Sequence, residues 1–400
     1  MASTTIDNLP VDVLSKILIR FPAKPLAQMR CVSKPWNTLL SQPAFIKSHL
    51  HRSIENSDEI LVVFTNGFGS DPKRYPITAH PSKSPHLAIP NFIQIPVNPN
   101  SPERFCYNIH GSVNGLICLS YQTSNIAEPV IQIWNPSLSA MLTVPSYGNQ
   151  FGGTDKNFVQ FGFGFDSKTD DYKVIKFTIP KPALLLSLFN LFTDWDDNLP
   201  SHEKIQVEIF SLRKCSWESI TERFPPNVIG IDDRDEVCLD GHDGHLHWLG
   251  KLDECRKQET IVAFDLGDET FSEICLPVDT LNRRNTVGIL GGKLCVMSCV
   301  EDHDCEVWVM NEYGVVESWT KHHAFSQFSF YVSPYGFTLN NEFLFEVPTY
   351  DDCPRLALYD STEAKVKYFK FYRLFGNVKV VEYVDSLVWI APRGSTSRED

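Results

Sequence analysis

The sequence predicts a small all-α head followed by a large all-β body. Three observations carry that reading. Over residues 9–50, apolar side chains recur at helical spacing, and prolines fall where helices start or stop. From Glu59 onward the pattern changes to short alternating strands divided by Gly, Asn, Asp and Pro. Across the body two strand phrases alternate with a period of about fifty residues, the range of four-stranded propeller blades.

In the head, Pro10 suits the first turn of a helix, where its missing N–H costs nothing, and Asp12 favours that helix's positive end. Leu9, Val13 and Ile17 recur every fourth residue, with Leu14 and Leu18 alongside. Pro22 is expected to stop this helix, and Pro25 to start a second one carrying Leu26, Met29 and Val32. Ser33 is placed to cap a third, with Pro35 in its first turn and Trp36, Leu39 and Leu40 on its buried side. A unit of about forty residues cannot bury so wide an apolar stripe within itself. It calls for a partner.

These residues resemble the F-box, the module that docks a Skp-type adaptor within a cullin-based ubiquitin ligase. The match runs through Leu9-Pro10 with Asp12, Val13-Leu14, Ile17-Leu18, Arg20-Phe21-Pro22, Leu26, Arg30-Cys31-Val32-Ser33-Lys34 and Trp36. The resemblance implies adaptor contacts through Leu9, Pro10, Val13, Leu14, Ile17, Leu18, Pro22, Leu26, Val32 and Trp36. Pro25 departs from the pattern, since many relatives carry Ser or Asp there as a helix cap. Proline gives up that cap but presets the backbone angle, so the helix is expected to survive.

In the body, the first phrase is a small-residue turn followed by an alternating strand. It occurs at Asn114–Leu119, Gly244–Trp248, Gly291–Val296, Asn341–Phe345 and Asp385–Trp389. The second is a β-rich run ending in a large residue and a turn former, at Ile131–Asn135, Val207–Ser211, Ile261–Asp265, Val307–Asn311 and Leu356–Asp360. Phe161–Asp166 turns through Ser167–Asp171 into Tyr172–Ile175 as a further hairpin. Each hairpin pair has two apolar faces and must stack on neighbours, and closing the ring removes exposed sheet edges. The count gives a six-bladed propeller with one blade left half-built near Val380–Ile390. Ile60–Phe64 is expected to complete it, closing the ring with strands from both ends. A pair of β-sandwiches is the structural alternative.

The repeats resemble the F-box-associated, kelch-like domain of a large plant family that includes S-locus F-box-like proteins. The points of resemblance are Asn114-Gly115-Leu116, Trp134-Asn135-Pro136, Gly162–Asp166 with Asp171–Val174, and Ser216-Trp217. A double glycine in every blade, as in true kelch repeats, is not met, since only Gly291-Gly292 qualifies. The expected division is an F-box domain over 1–52, the propeller domain over 53–395 and a disordered tail over 396–400. Pro72–Pro102 reads as a long surface connection.

Composition narrows the function classes. The 400 residues are 42% hydrophobic with 26 prolines, which suits a turn-rich folded chain. No apolar run approaches the roughly 20 residues that span a bilayer, and the N-terminus lacks a secretory layout. Eleven scattered cysteines without a C-x-x-C pair suggest reduced thiols, hence cytoplasm or nucleus. Net charge is −13, yet residues 1–52 hold seven Lys/Arg against Asp7 and Asp12, so the remainder carries −18. A basic head suits an acidic adaptor, and the acidic body argues against nucleic acid as a partner.

Cys238, His242, His245 and His247 form the densest ligand-type cluster, but no second pair completes a zinc pattern. Alternation puts His245 and His247 on one strand face and Leu246 and Trp248 on the other, as in a blade hairpin with a polar edge. No nucleophile elbow, His-Glu-x-x-His or phosphate-cradling loop occurs. No catalytic residue, metal or cofactor is expected. Pro180–His202 interrupts two strands with an apolar run and an acidic end, and Leu185, Phe189, Phe192 and Trp195 are its candidate client contacts. A short helix packed on a propeller flank is the plainer reading of that run. The whole points to the client-binding subunit of a Skp–cullin–F-box ligase. A scaffold that binds the adaptor without a degraded client, or a sugar-binding or enzymatic propeller, remain the alternatives.

Overall fold

A computed structural model describes residues 9–55, 60–66, 77–81, 83–89, 106–122, 129–147, 157–180, 204–232, 244–252, 258–299, 305–325, 332–338, 341–347, 355–360, 365–369 and 377–390. The head has helices α1 (Val11–Leu18), α2 (Ala23–Met29), α3 (Lys34–Leu40) and α4 (Pro43–Glu55). Helix α1 ends before Pro22 is reached. Pro22 instead stands at the N-cap of α2, with Pro25 inside the first turn, where a missing N–H is equally harmless. Ser33 caps α3 as its sequence suggests, its hydroxyl accepting the Trp36 N–H at 3.4 Å. Leu18, Leu26, Leu39, Leu40 and Phe45 form the middle of the head.

The body is a six-bladed propeller. Strand β1 (Ile60–Asn66) follows α4 directly and pairs with β2 (Thr78–Pro81). So the proline-rich connection expected from Pro72 to Pro102 contains a strand, which Ala79 and His80 anchor by burial. Blade one is β3 (Cys106–Val113), β4 (Leu116–Gln122), β5 (Val130–Asn135) and β6 (Ala140–Thr143). Blade two is β7 (Asn157–Asp166), β8 (Asp171–Pro180), β9 (Gln206–Ser211) and β10 (Ser216–Ser219). Blade three is β11 (Gly230–Ile231), β12 (His245–Lys251), β13 (Glu259–Asp265) and β14 (Thr270–Cys275). Blade four is β15 (Arg284–Leu290), β16 (Lys293–Cys299), β17 (Cys305–Met310) and β18 (Trp319–Phe325). Blade five is β19 (Ser333–Phe337), β20 (Phe343–Val347), β21 (Arg355–Asp360) and β22 (Lys365–Tyr368). Blade six joins β1 and β2 to β23 (Asn377–Tyr383).

The turn-and-strand phrase supplies second strands in blades one, three, four and five, and the β-rich phrase supplies the third strand of each four-stranded blade. The ring closes as the sequence suggests: β1 and β23 run antiparallel, Ile60 opposite Tyr383 and Val62 opposite Val381. Period-2 alternation then faces the two sides of this blade to different neighbours. Leu61 and Val63 pack with Leu344 and Leu358 of blade five, while Val62 and Val381 pack with Ile117 and Trp134 of blade one.

Two expectations are corrected here. Asp385–Trp389 is not a strand, and none of the described strands pairs with it. Its backbone is held by a side chain instead, as described below. The cysteines are not all reduced either: Cys299 and Cys305 form a disulfide. They are directly opposed at the ends of β16 and β17, a proximity set by strand register.

Candidate adaptor-binding head and its seat on the ring

The predicted adaptor residues fall into three groups. Leu9, Pro10, Val13, Ile17, Pro22 and Val32 are exposed, Val32 at 75%. Val11 and Phe21, which the sequence reading did not single out as contacts, are exposed with them. Leu14 and Trp36 are half-buried against the head's core. Leu18 and Leu26, only 3% and 0% exposed, belong to that core and present nothing to a partner. The stripe is wider than the head's own core covers.

The head's interior is tied by a few directed bonds. The Arg30 guanidinium donates to the Leu40 carbonyl at 2.7 Å, and burial lowers its pKa from the usual arginine range. The buried His49 ring donates through Nε2 to the Phe21 carbonyl at 2.9 Å, fixing α4 beneath the end of α1.

Other residues of the head meet the ring. Helix α2 has no side-chain cap of its own, because a proline occupies that place. The missing cap comes from the other end of the chain: the Asp385 carboxylate accepts the Ala23 N–H at 2.6 Å. The Ser137 hydroxyl hydrogen-bonds both Asp385 and the Tyr383 phenol, and burial pushes that phenol's pKa up. Leu387, fully buried, and Leu138 of the β5–β6 turn join the head's apolar cluster. Lys47 and Asp170 form an exposed ion pair at 3.4 Å, the kind that contributes little.

Blade one holds the segment that carries Asp385 and Leu387. The buried Asn135 amide donates to the carbonyls of Ser386 at 3.1 Å and Val388 at 2.8 Å. Its oxygen accepts the Leu138 N–H at 3.3 Å, shaping the turn that delivers Leu138. Asn114 and Gly115 take left-handed angles, φ 55° and 78°, in the β3–β4 turn. A Cβ on Gly115 would fall 2.3 Å from Ser386 Cβ and 2.4 Å from the Val384 carbonyl, so only glycine lets the segment lie this close. Sequence reading singled out Asn114-Gly115 and Asn135 as motif positions but gave them no task.

Elsewhere, Leu185, Phe189, Phe192 and Trp195 lie outside the described residues, as do Cys238 and His242. Leu246 and Trp248 pack between blades two and three, while His247 Nε2 lies 2.8 Å from the Tyr313 hydroxyl and His245 Nε2 lies 3.5 Å from Asp265. Among the described residues no three His, Cys, Asp or Glu side chains converge as a metal site.

The four-helix head and the six-bladed ring define a class, an F-box module joined to a β-propeller. A family profile for the F-box domain matches residues 6–48, and one for the F-box associated beta propeller domain matches residues 75–382. The chain belongs to this family of F-box proteins. It is 30% identical to "F-box protein CPR1" of Arabidopsis thaliana, over 78% of this chain and 72% of that protein. It is 27% identical to "F-box/kelch-repeat protein At3g23880" of the same plant, over 78% of each. Among solved structures, TolB from Acinetobacter baumannii aligns with a TM-score of 0.46 at 12% identity, over 85% of this chain and 72% of that one, a likeness too slight to bear on function.

Proposed function

We propose that the chain is the client-recognition subunit of a Skp–cullin–F-box ubiquitin ligase. The head docks a Skp-type adaptor and, through it, a cullin, and the propeller holds a protein client. One observation carries this reading: Leu9, Val11, Val13, Ile17 and Phe21 stay exposed on and beside α1 while Leu18 of the same helix is buried. Apolar surface of that kind, rimmed by Lys16, Arg20 and Lys24, suits an acidic partner with an apolar groove.

The client contacts are assigned to Leu185, Phe189, Phe192 and Trp195 on the sequence alone. In sequence they fall between Pro180, the last residue of β8, and Gln206, the first of β9. Those strand ends lie at the edge of blade two opposite the β7–β8 turn, whose Asp170 meets the head. Strand β8 has ten residues, which separates the two edges by about 30 Å at the usual rise of a strand. In this reading ubiquitin transfer asks no catalytic side chain of the chain, which acts by raising the client's local concentration. The working compartment is cytoplasm, nucleus or both.

The test is affinity purification under proteasome blockade. Recovery of a Skp-type adaptor and cullin, with a client whose ubiquitination needs this chain, is the expected result. Failure to recover the adaptor overturns it.

A further inference from the structure

We propose that residues 384–390 are a strap that fixes the head in one orientation on the ring, with Asp385 and Leu387 as positioning residues. The orientation rests on the geometry alone, and its consequence for ubiquitin transfer rests on the function proposed above.

The strap serves two surfaces in alternation. Asp385 and Leu387 turn to the head, one capping α2 through the Ala23 N–H and the other completing the head's core. Ser386, Val388 and Ile390 belong to the ring: Ser386 lies on Gly115, while Val388 and Ile390 pack in the cluster shared by blades one and two. This is the period-2 side-chain alternation of an extended chain, spent on two partners rather than two faces of a sheet. The usual ladder is replaced by the paired bonds from Asn135.

Both connections to the head also leave from one blade. Helix α4 leads into β1, and β23 leads into the strap, and these two strands are paired along their length. Turning the head would expose Leu387, strand an N–H of α2 and leave Asp385 with the Ser137 hydroxyl alone of its two donors. A swivelling head would gain nothing to offset these losses. The strap also bridges the seam where the ring closes, since it continues from Tyr383 of blade six and is held by Asn135 and Ser137 of blade one. The pairing that closes the ring therefore also delivers the strap to the head. A client on the far edge of the ring would then sit at a set distance from a docked adaptor, which is what transfer by proximity requires.

The experiment measures orientation in the full chain without adaptor, using labels on non-natural residues at exposed Lys16 of the head and exposed Thr270 of the ring. The unaltered chain gives one narrow distance distribution. Asp385→Ala and Leu387→Ala broaden it, whereas Asp385→Asn, which keeps an accepting oxygen, and Leu387→Met restore it. In Asp385→Ala the Ala23 amide exchanges with solvent about tenfold faster or more, the factor set by losing a bond to a charged acceptor. A broad distribution in the unaltered chain, or a narrow one in both alanine variants with unchanged exchange, overturns the strap. In the reconstituted ligase, Asp385→Ala retains adaptor affinity but modifies lysines of the ring several-fold more slowly. Unchanged transfer despite a broadened distribution overturns the positioning role. If even the unaltered chain ignores the adaptor, the proposed function fails while the distance measurement still decides the strap.

Discussion

Val62 and Val381 face each other across the pairing of β1 and β23, and each is fully buried between neighbouring blades. The ring is thus closed by hydrogen bonds between segments near opposite ends of the described chain. Deleting residues 377–400 removes β23, leaves the edge of β1 unpaired and uncovers the apolar faces of the adjoining blades. The expected outcome is aggregation on size-exclusion chromatography with light scattering. Val381→Asp, which buries an unpaired charge, is expected to lower stability by several kcal/mol, about 3 or more. A truncated chain that stays monomeric with an unchanged thermal midpoint would contradict the closed ring.

Lys173 supplies a second tie, between blades two and three. Its ammonium, 5% exposed, reaches Asp166 at 3.0 Å, Glu269 at 2.9 Å and the Leu266 carbonyl at 2.6 Å. Burial pushes both carboxyls up, but bonds from Thr169 and Lys173 leave Asp166 below the usual carboxylate range, and bonds from Lys173 and Arg223 do the same for Glu269. A carboxylate with a lowered folded-state pKa stabilises above its ordinary value and loses that contribution as pH falls through the lowered one. The thermal midpoint is expected to fall below about pH 4, where unfolded carboxylates begin to take up protons. Lys173→Met leaves the buried Asp166 without its cation and the half-buried Glu269 with Arg223 alone, and is expected to cost about 3–5 kcal/mol at neutral pH. It also raises both carboxyl pKa values, moving the acid transition to higher pH. Equal acid profiles for the two proteins would remove this cluster from the account.

The sequence made the blades readable because each strand is half of a two-sided layer, so its alternation is strong and its turns are marked. The third strands from Ile131 to Asp360 all stand where that pattern places them. The strap was misread for a physical reason. Asp385–Trp389 alternates as a strand does, but its two sides face head and ring, and the Asn135 amide stands in for the neighbouring strand. Strand β2 was missed because prolines dominate its surroundings. On α1 and α2 the helical period locates apolar residues without saying which of them the head itself covers, so Leu18 and Leu26 read as contact residues. The disulfide depends on which residues stand opposite in β16 and β17, which spacing alone does not fix.

Gly162, in the Gly-Phe-Gly-Phe-Asp motif of β7, shows how such a motif records packing between blades. A Cβ there would lie 2.5 Å from the Trp248 ring and 3.3 Å from Leu246, both in blade three. Gly162→Ala is expected to destabilise by about 1–3 kcal/mol through overpacking. Pairing it with Trp248→Phe, which opens room, should recover part of the loss. Denaturant unfolding of the two single variants and the double variant measures the coupling. Strictly additive losses would place Gly162 outside the contact.

The adaptor surface is best tested by setting neighbours on α1 against each other. Ile17 is 44% exposed and Leu18 3%, although both belong to the same stripe. Ile17→Asp puts a charge where water already reaches, so the fold is expected to keep its thermal midpoint within a few degrees. If Ile17 is an anchor in the adaptor's groove, the substitution costs about 2 kcal/mol or more of binding, a loss of about thirtyfold or greater. Leu18→Ala instead opens a cavity among Leu26, Leu40 and Phe45 and is expected to cost about 2–5 kcal/mol of stability. Its adaptor affinity should fall only as far as the head unfolds. Calorimetry of both variants with a purified Skp-type adaptor separates the two effects. Undiminished binding by Ile17→Asp would move the docking surface off α1, and the exposed Val32 and Phe21 would then be the next residues to replace.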